Sequence, residues 1–352
     1  MSDEVSTVEG LELQSAPVDP MSAAAEALAE VKRVIVGQDR LVERVFVCLL
    51  ANGHCLIEGV PGLAKTLTVS TMAKVVGGEF SRIQFTPDLV PADVVGTRIW
   101  RPSREDFDIE WGAVFANIVL ADEINRAPAK VQSALLEVMG ERQVSIGGET
   151  RAVPTPFLVL ATQNPIESEG VYALPEAQRD RFLMQVVVEH PSYQEETLIA
   201  RRMGAGTPQV REVMSLEQLS QLQQLTKQVF VHDAVRDYAV RLVMTTRDPT
   251  AWGQPDLAPL ISLGASPRGT LGLIAAGQAL AVLRGRTFLV PRDIYEVANE
   301  VLRHRLLLSY EALADGVSVD DVLGRILARV AAPAVVPGGD VAWGGAGTAA
   351  VS

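Results

Sequence analysis

The chain has 352 residues, which at about 100 to 200 residues per domain allows two domains with terminal tails. It carries 43 acidic and 31 basic residues, and the resulting net charge of −12 disfavours general binding to nucleic-acid backbones. It contains only two cysteines and no apolar run near the roughly 18 residues of a membrane helix, and its acidic start is unlike a signal peptide. We therefore expect a cytoplasmic protein without a disulfide framework or stable membrane insertion.

Five short apolar segments alternate with helical patterns in the first half of the chain. Each segment is rich in β-branched residues and apolar on both faces, which is typical of parallel strands covered by helices on both sides. The sequence thus predicts an α/β domain at residues 21–194, built on a parallel five-stranded sheet with helices on both faces. The predicted strands are residues 54–58, 82–85, 117–122, 157–162 and 184–188, and two of the predicted helices are residues 66–76 and 129–139.

Only helical patterns follow residue 190, with no convincing strand among them. Ser215 and Gln218 form a capping box at the start of a leucine-rich helix. Pro267 and Pro291 stand where the first turns of two later helices are expected. The sequence therefore predicts a small all-helical domain. This domain is expected to span residues 195–331 and to follow the α/β domain directly. A disordered acidic tail is expected at residues 1–20 and a flexible Ala/Gly-rich tail at residues 332–352.

Residues 55–66 predict a strand, a turn and the start of a helix in immediate succession. It nearly matches the phosphate-loop pattern GxxxxGK[ST], with Ala64 where the second glycine is usual. Backbone N–H groups and the helix N-terminus would hold phosphate, Lys65 would contact the β- and γ-oxygens, and Thr66 would ligate Mg²⁺. Ala64 is expected to be right-handed, with Gly62 as the flexible point. A glycine-containing turn without a ligand is the alternative. The predicted nucleotide-binding residues here are Gly59, Val60, Pro61, Gly62, Leu63, Ala64, Lys65, Thr66 and Leu67.

Polar residues follow the third and fourth predicted strands, at the sheet edge where ligands of α/β proteins bind. Asp122 is expected to hold Mg²⁺ through water, and Glu123 to act as the general base on the attacking water. Asn164 would orient that water or contact the γ-phosphate. An acidic pair often only caps a helix, and an asparagine before proline often only forms a turn. The phosphate loop upstream favours the functional interpretation.

The segments GVPGLAKT, LADEINRA, ATQNP, EAQRDRF and SPRG, in this order and spacing, resemble the MoxR family of AAA+ ATPases. The resemblance covers the chain outside its tails and implies an AAA+ P-loop core followed by a small helical lid. It also identifies Ala64 as a family trait. Arg179 stands where the family pattern has an apolar residue, so the choice of arginine finger between Arg179 and Arg181 stays open, with Arg181 favoured. By resemblance, Val36, Gly37 and Gln38 lie beside adenine, Asn164 is sensor 1, Arg181 is the arginine finger and Arg268 is sensor 2.

Two further segments resemble the inserts of this family. Residues 85–96 correspond to the insert within the second helix, and residues 141–154 to a β-hairpin before sensor 1. Gly147 and Gly148, between two alternating segments, independently predict a hairpin turn. Both inserts are expected to project toward a client protein or a ring pore.

The favoured function is that of an ATP-hydrolysing chaperone that remodels, activates or assembles partner proteins. The site residues indicate ATP hydrolysis, and the resemblance implies the chaperone role. The resemblance implies a homo-oligomeric ring, expected to be hexameric, and a partner with a von Willebrand factor A domain, whereas the client is unidentified. The expected cofactors are ATP and Mg²⁺. No further metal site is expected, because the scattered histidines lack metal-ligand companions. A metal-chelatase ATPase subunit and a nucleotide-dependent binding switch remain alternatives. A DNA-translocating motor is disfavoured by the net charge of −12.

Overall fold

A computed structural model describes residues 20–103, 105–165, 170–203, 208–334 and 342–343. The helices are α1 (Pro20–Val34), α2 (Asp39–Leu50), α3 (Lys65–Val75), α4 (Pro91–Val95), α5 (Ala129–Glu141), α6 (Glu176–Arg179), α7 (Tyr193–Met203), α8 (Leu216–Gln228), α9 (Asp233–Arg247), α10 (Pro267–Leu283), α11 (Pro291–Leu302), α12 (Tyr310–Ala314) and α13 (Val319–Arg329). The strands are β1 (Cys55–Glu58), β2 (Phe80–Gln84), β3 (Gly96–Arg101), β4 (Asp106–Trp111), β5 (Ile118–Asp122), β6 (Gln143–Ile146), β7 (Glu149–Ala152), β8 (Leu158–Gln163), β9 (Met184–Val187), β10 (Ile261–Leu263), β11 (Leu307–Leu308), β12 (Pro333–Ala334) and β13 (Ala342–Trp343).

The main sheet has five strands in the order β2-β5-β8-β1-β9, and all four of its pairings are parallel. Every predicted strand overlaps one of these five, so the predicted fold class is confirmed. Since parallel strands end at the same edge, the residues that follow β1, β5 and β8 are brought together there. The sheet thereby positions the candidate site.

Residues of each central strand divide between two apolar cores, one on each side of the sheet. In β5, Ile118 and Leu120 belong to the core that includes α1, α2 and α3, whereas Val119 and Ala121 belong to the core beneath α5. All four are almost fully buried. Since successive side chains of a strand point to opposite faces, both faces must be apolar. This explains the continuous apolar segments in the sequence.

The second half of the chain is mostly helical, as the sequence predicts. The Ser215–Gln218 capping box is confirmed at the start of α8, and Pro267 and Pro291 are the first residues of α10 and α11. The expectation of helices alone is wrong in one detail, because β10 pairs antiparallel with β11. These strands have three and two residues, too few to produce an alternating pattern. None of the helices in the described ranges is both long and apolar enough to cross a membrane.

The domain limits stay a prediction. The acidic tail lies outside the described residues except for Pro20, which begins α1. Of the predicted C-terminal tail, the structure describes residues 332–334 and 342–343, where β12 and β13 pair antiparallel.

Two hairpins extend from the core, and the sequence predicts only one of them. β6 and β7 form the predicted hairpin, with φ values of 60° and 91° at Gly147 and Gly148. The predicted insert at 85–96 contains α4 and continues into an unpredicted hairpin of β3 and β4. Its strands have six residues each and are largely exposed, and only the alternating Phe107, Ile109 and Trp111 could have indicated it.

Candidate nucleotide-binding site

The phosphate loop lies between the end of β1 and the start of α3. Gly59 is the first residue of the loop and lies close to the neighbouring strands. Its N–H donates to the Gln163 carbonyl at 3.2 Å. A Cβ at this position would lie 3.0 Å from the Val188 carbonyl oxygen, so the close approach requires glycine. Gly62 has a φ of +88° with open space around it, so glycine is needed there for its backbone conformation. The two glycines therefore serve different purposes.

The backbone conformation of Ala64 differs from the predicted one. Its φ of 54° and ψ of 19° are left-handed, whereas the sequence suggested a right-handed residue leading into the helix. α3 begins only at Lys65, so Ala64 completes the turn of the loop rather than the first helical turn. A left-handed alanine costs about 1 to 2 kcal/mol. The Ala64 carbonyl accepts hydrogen bonds from the Thr68 N–H at 2.9 Å and the Thr68 hydroxyl at 3.0 Å, which hold it in place.

Lys65 already points across the loop. Its Nζ donates to the Gly59 carbonyl at 2.5 Å. Burial lowers the pKa of Lys65, and the nearby charges of Asp122 and Glu123 partly oppose that effect. A partly desolvated cation is thus held beside both carboxylates, where phosphate oxygens would find a ready partner.

Both carboxylate oxygens of Asp122 accept hydrogen bonds from neighbouring strands. Thr162 on β8 donates its hydroxyl to Asp122 Oδ1 at 2.6 Å and accepts from the Glu123 N–H at 2.8 Å. Arg82 on β2 donates to Asp122 Oδ2 at 2.7 Å. Thr162 and Arg82 could not be predicted as site residues, because no motif marks them and their proximity to Asp122 depends on the strand order.

Glu123 leaves the end of β5 in a left-handed conformation, with a φ of 56° and a ψ of 50°. Its Oε2 accepts from Gln84 Nε2 at 2.9 Å and lies 3.1 Å from Arg126 Nε. The contacts with Gln84 and Arg126 therefore restrict the rotation of the Glu123 carboxylate. Gln84 was also missed, although it pairs directly with Asp122 in the sheet.

Asn164 is buried, with 7% of its surface exposed, and lies one residue beyond β8. β8 runs between β1 and β5, so Asn164 emerges between the phosphate loop and the acidic pair. The structure thus brings together four predicted site residues at one sheet edge: Lys65, Asp122, Glu123 and Asn164.

An apolar cavity of about 310 Å³ lies beside the phosphate loop. Its lining includes Val36, Gln38, Gly62, Leu63, Ala64 and Leu67. Such a cavity suits a flat base, and it includes two of the three residues that the family resemblance places beside adenine, Val36 and Gln38. Gly37 lies against α7 instead, where an added Cβ would come within 2.9 Å of Glu195 Cβ.

Arg181 and Arg268 share a different cavity, of about 260 Å³, lined also by Met139, Gly140 and Glu141. No phosphate-loop residue is among the described residues that line it. The guanidinium of Arg181 donates to the Leu136 carbonyl in the middle of α5. The structure therefore brings these two arginines together, but not to the Lys65 edge of the same chain.

Asp180 connects this cavity to the helical half of the chain. It accepts from Arg305 Nε at 2.8 Å and from the Ser266 hydroxyl at 2.8 Å, and Arg268 lies 4.0 Å away. Arg305 is buried, and burial lowers its pKa while Asp180 opposes that shift. Through its bond to Ser266, the N-cap residue of α10, Asp180 fixes the start of that helix relative to Arg181. By contrast, Arg179 pairs with Glu176 at 3.9 Å, and its buried Nε has no hydrogen-bond partner among the described residues.

Comparison with known proteins extends these observations. Residues 54–184 match the model of the ATPase family associated with various cellular activities (AAA), and residues 256–326 match the AAA lid domain. The chain is 60% identical over 309 residues to the chaperone MoxR1 of Mycobacterium tuberculosis, covering 88% of this chain and 82% of the relative. It is 40% identical over 310 residues to the uncharacterized protein YeaC of Bacillus subtilis, covering 88% and 94%.

The fold also matches a crystal structure of a Cytophaga hutchinsonii protein assigned as an ATPase. The TM-score is 0.84 at 42% identity, and the match covers 88% of this chain and 95% of that one.

Proposed function

Because the chain belongs to the MoxR family of AAA+ ATPases, we propose that it couples ATP hydrolysis to the remodelling, activation or assembly of partner proteins. The observation that carries the hydrolytic step is the convergence of Lys65, Asp122, Glu123 and Asn164 at one edge of a parallel sheet. This arrangement offers a phosphate-binding cation, a metal-binding carboxylate and a base within one site.

The oxygen donors of the site fit Mg²⁺, which prefers carboxylate, hydroxyl, water and phosphate oxygens. Thr66 would supply a hydroxyl and Asp122 a carboxylate. When bound, ATP would supply the γ-phosphoryl group and Mg²⁺ would neutralise part of its charge. Lys65 would hold the β- and γ-oxygens, Glu123 would accept a proton from the attacking water, and Asn164 would orient that water.

The arginines support a site completed by a second copy of the chain. Arg181 and Arg268 line one cavity, separate from the phosphate loop of their own chain, and the hydrogen bond between Ser266 and Asp180 joins the two segments that carry them. A guanidinium at the γ-phosphate stabilises charge that develops in the transition state. We therefore assign both arginines to the nucleotide of a neighbouring subunit in a homo-oligomeric ring, proposed to be a hexamer. In this role Arg181 is the finger.

The remodelling function rests on the family and on the two hairpins that extend from the core. We propose that the β3–β4 and β6–β7 hairpins contact the client, and that a protein with a von Willebrand factor A domain is a partner in the cytoplasm. The Mycobacterium tuberculosis relative is itself named a chaperone, which supports this proposal.

A trapping experiment tests the remodelling function. The Glu123→Gln variant should hold ATP and retain client and partner proteins when purified from its source cell, because hydrolysis no longer releases them. Lys65→Ala, which should not bind ATP, is the matched control. Retention that depends on ATP and is lost in the control is the expected result. Equal recovery by both variants would contradict ATP-controlled client binding, and ATP-dependent recovery of a large chelatase subunit would favour the chelatase alternative.

A further inference from the structure

Three parts of the chain line the apolar cavity beside the phosphate loop. The first part follows α1 and the second is the loop itself. The third part, the α7 lining, consists of Pro191, Ile199, Arg202 and Pro208. Since the first and third parts are far apart in the sequence, their spacing depends on contacts between α1 and the chain around α7.

Glu30, in the second half of α1, makes most of these contacts. Its side chain is only 1% exposed. Oε1 accepts from Arg33 Nη2 at 2.7 Å and from the Arg211 N–H at 3.0 Å, while Oε2 accepts from Arg33 Nε at 3.0 Å and from Arg211 Nη2 at 3.1 Å. Each carboxylate oxygen of Glu30 is therefore shared between α1 and a residue that follows Pro208 closely in the chain.

Two arginines extend these contacts to the α7 lining. Arg33 also donates to the carbonyl of Gln209, the residue after Pro208. Arg202 Nη1 donates to the Arg33 carbonyl at 2.9 Å and to the Val34 carbonyl at 3.3 Å, two of the last carbonyls of α1, which have no acceptor role within the helix. Arg202 and Pro208 are thus both tied to the last turn of α1.

The negative charge of Glu30 is what holds this arrangement together. Hydrogen bonds from Arg33 and from the Arg211 N–H lower the pKa of Glu30 well below its usual value, although burial acts in the opposite direction. The Arg33 and Arg211 side chains are 42% and 69% exposed, so little else than the carboxylate restrains them. Loss of the charge would leave both arginines free to turn toward solvent.

We propose that Glu30 is a positioning residue for the base of ATP, which fixes the α7 lining against the end of α1 through Arg33 and Arg211. A cavity formed in advance binds its ligand more tightly, because the segments that line it are ordered before the ligand arrives. Among the described residues that line the cavity, Glu30 is absent, so its effect on the nucleotide is indirect. This inference rests on the proposed ATPase function.

Steady-state ATP hydrolysis by Glu30→Gln tests the proposal. Glutamine keeps the shape of the side chain and removes its charge. The KM for ATP should rise about tenfold, because charge-assisted hydrogen bonds that shape the cavity are lost. The kcat should stay within about twofold of the wild type, since the groups at the sheet edge are untouched. A lower kcat at unchanged KM is the result of a merely structural role, and that outcome or an unchanged KM overturns the proposal.

Inorganic triphosphate distinguishes the base cavity from the phosphate loop, because it carries the phosphates without a base. It should inhibit ATP hydrolysis by Glu30→Gln with the same inhibition constant as in the wild type. Inhibition that weakens in step with ATP binding would place the effect at the phosphate loop and overturn the proposal.

Glu26→Gln is the matched control. Glu26 is an exposed glutamate one turn earlier on α1, so the same chemical change there should leave the KM at the wild-type value. Thermal unfolding of each variant shows whether it is folded at the assay temperature.

Arg211→Ala provides a second, milder variant should Glu30→Gln fail to fold. It removes the contact of Nη2 with Glu30 and keeps that of the backbone N–H, so the KM should rise about threefold. An unchanged KM in Arg211→Ala would overturn the proposal. A wild-type protein that does not hydrolyse ATP would instead reject the ATPase assignment, so the two failures are distinguishable.

Discussion

Lys65→Ala should abolish ATP binding while leaving the fold intact. The ammonium group is held across the phosphate loop by the Gly59 carbonyl at 2.5 Å and is partly desolvated, so it meets phosphate oxygens without rearrangement. Hydrogen bonds to charged groups contribute about 1.5 to 3 kcal/mol each, and loss of two such contacts lowers affinity by roughly a hundredfold or more. Alanine is a strong helix former, so α3 should persist. Isothermal titration with ATP and Mg²⁺ measures the effect.

Lys74→Ala is the control for this prediction. Lys74 is exposed in the last turn of the same helix, so its removal changes the charge of α3 without touching the phosphate loop. Its ATP affinity should equal that of the wild type. Unchanged affinity in Lys65→Ala would reject the phosphate-loop assignment.

Glu123→Gln should bind ATP but hydrolyse it about a hundred to ten thousand times more slowly, the usual range for loss of a general base. The amide preserves the shape of the side chain and can still accept from Gln84, but it cannot take a proton from water. Phosphate release measured alongside ATP affinity separates the two effects.

Glu137→Gln gives the corresponding control. Glu137 is an exposed glutamate on α5, away from the sheet edge, so the same chemical change there should leave the hydrolysis rate unaltered. A wild-type rate in Glu123→Gln would show that the base lies elsewhere.

The sheet and the phosphate loop could be predicted because their signals are local. Burial on both faces makes Ile118 through Ala121 uniformly apolar, and the loop pattern lies within eight consecutive residues. The predicted conformation of Ala64 was wrong, because the loop pattern does not show at which residue the helix begins.

Contacts between strands could not be predicted. Arg82, Gln84 and Thr162 reach the acidic pair only because β2 and β8 flank β5, and the sequence does not specify this order. The position of Arg181 and Arg268 in one cavity likewise depends on a contact between distant segments. Asp180 accepts a hydrogen bond from Ser266, which lies 86 residues further along the chain. The β3–β4 hairpin was missed because its exposed strands lack a strong turn signal.

The central claim is that two neighbouring subunits build each hydrolytic site, and subunit mixing tests it most directly. Arg181→Ala and Glu123→Gln should each bind ATP but hydrolyse it poorly. In a randomly mixed ring, roughly a quarter of the interfaces would join an intact Glu123 to an intact Arg181, and about that fraction of wild-type activity should return. Recovery only when Arg179→Ala replaces Arg181→Ala would make Arg179 the finger. Co-assembled mixtures that stay inactive with either arginine variant would contradict the two-subunit site.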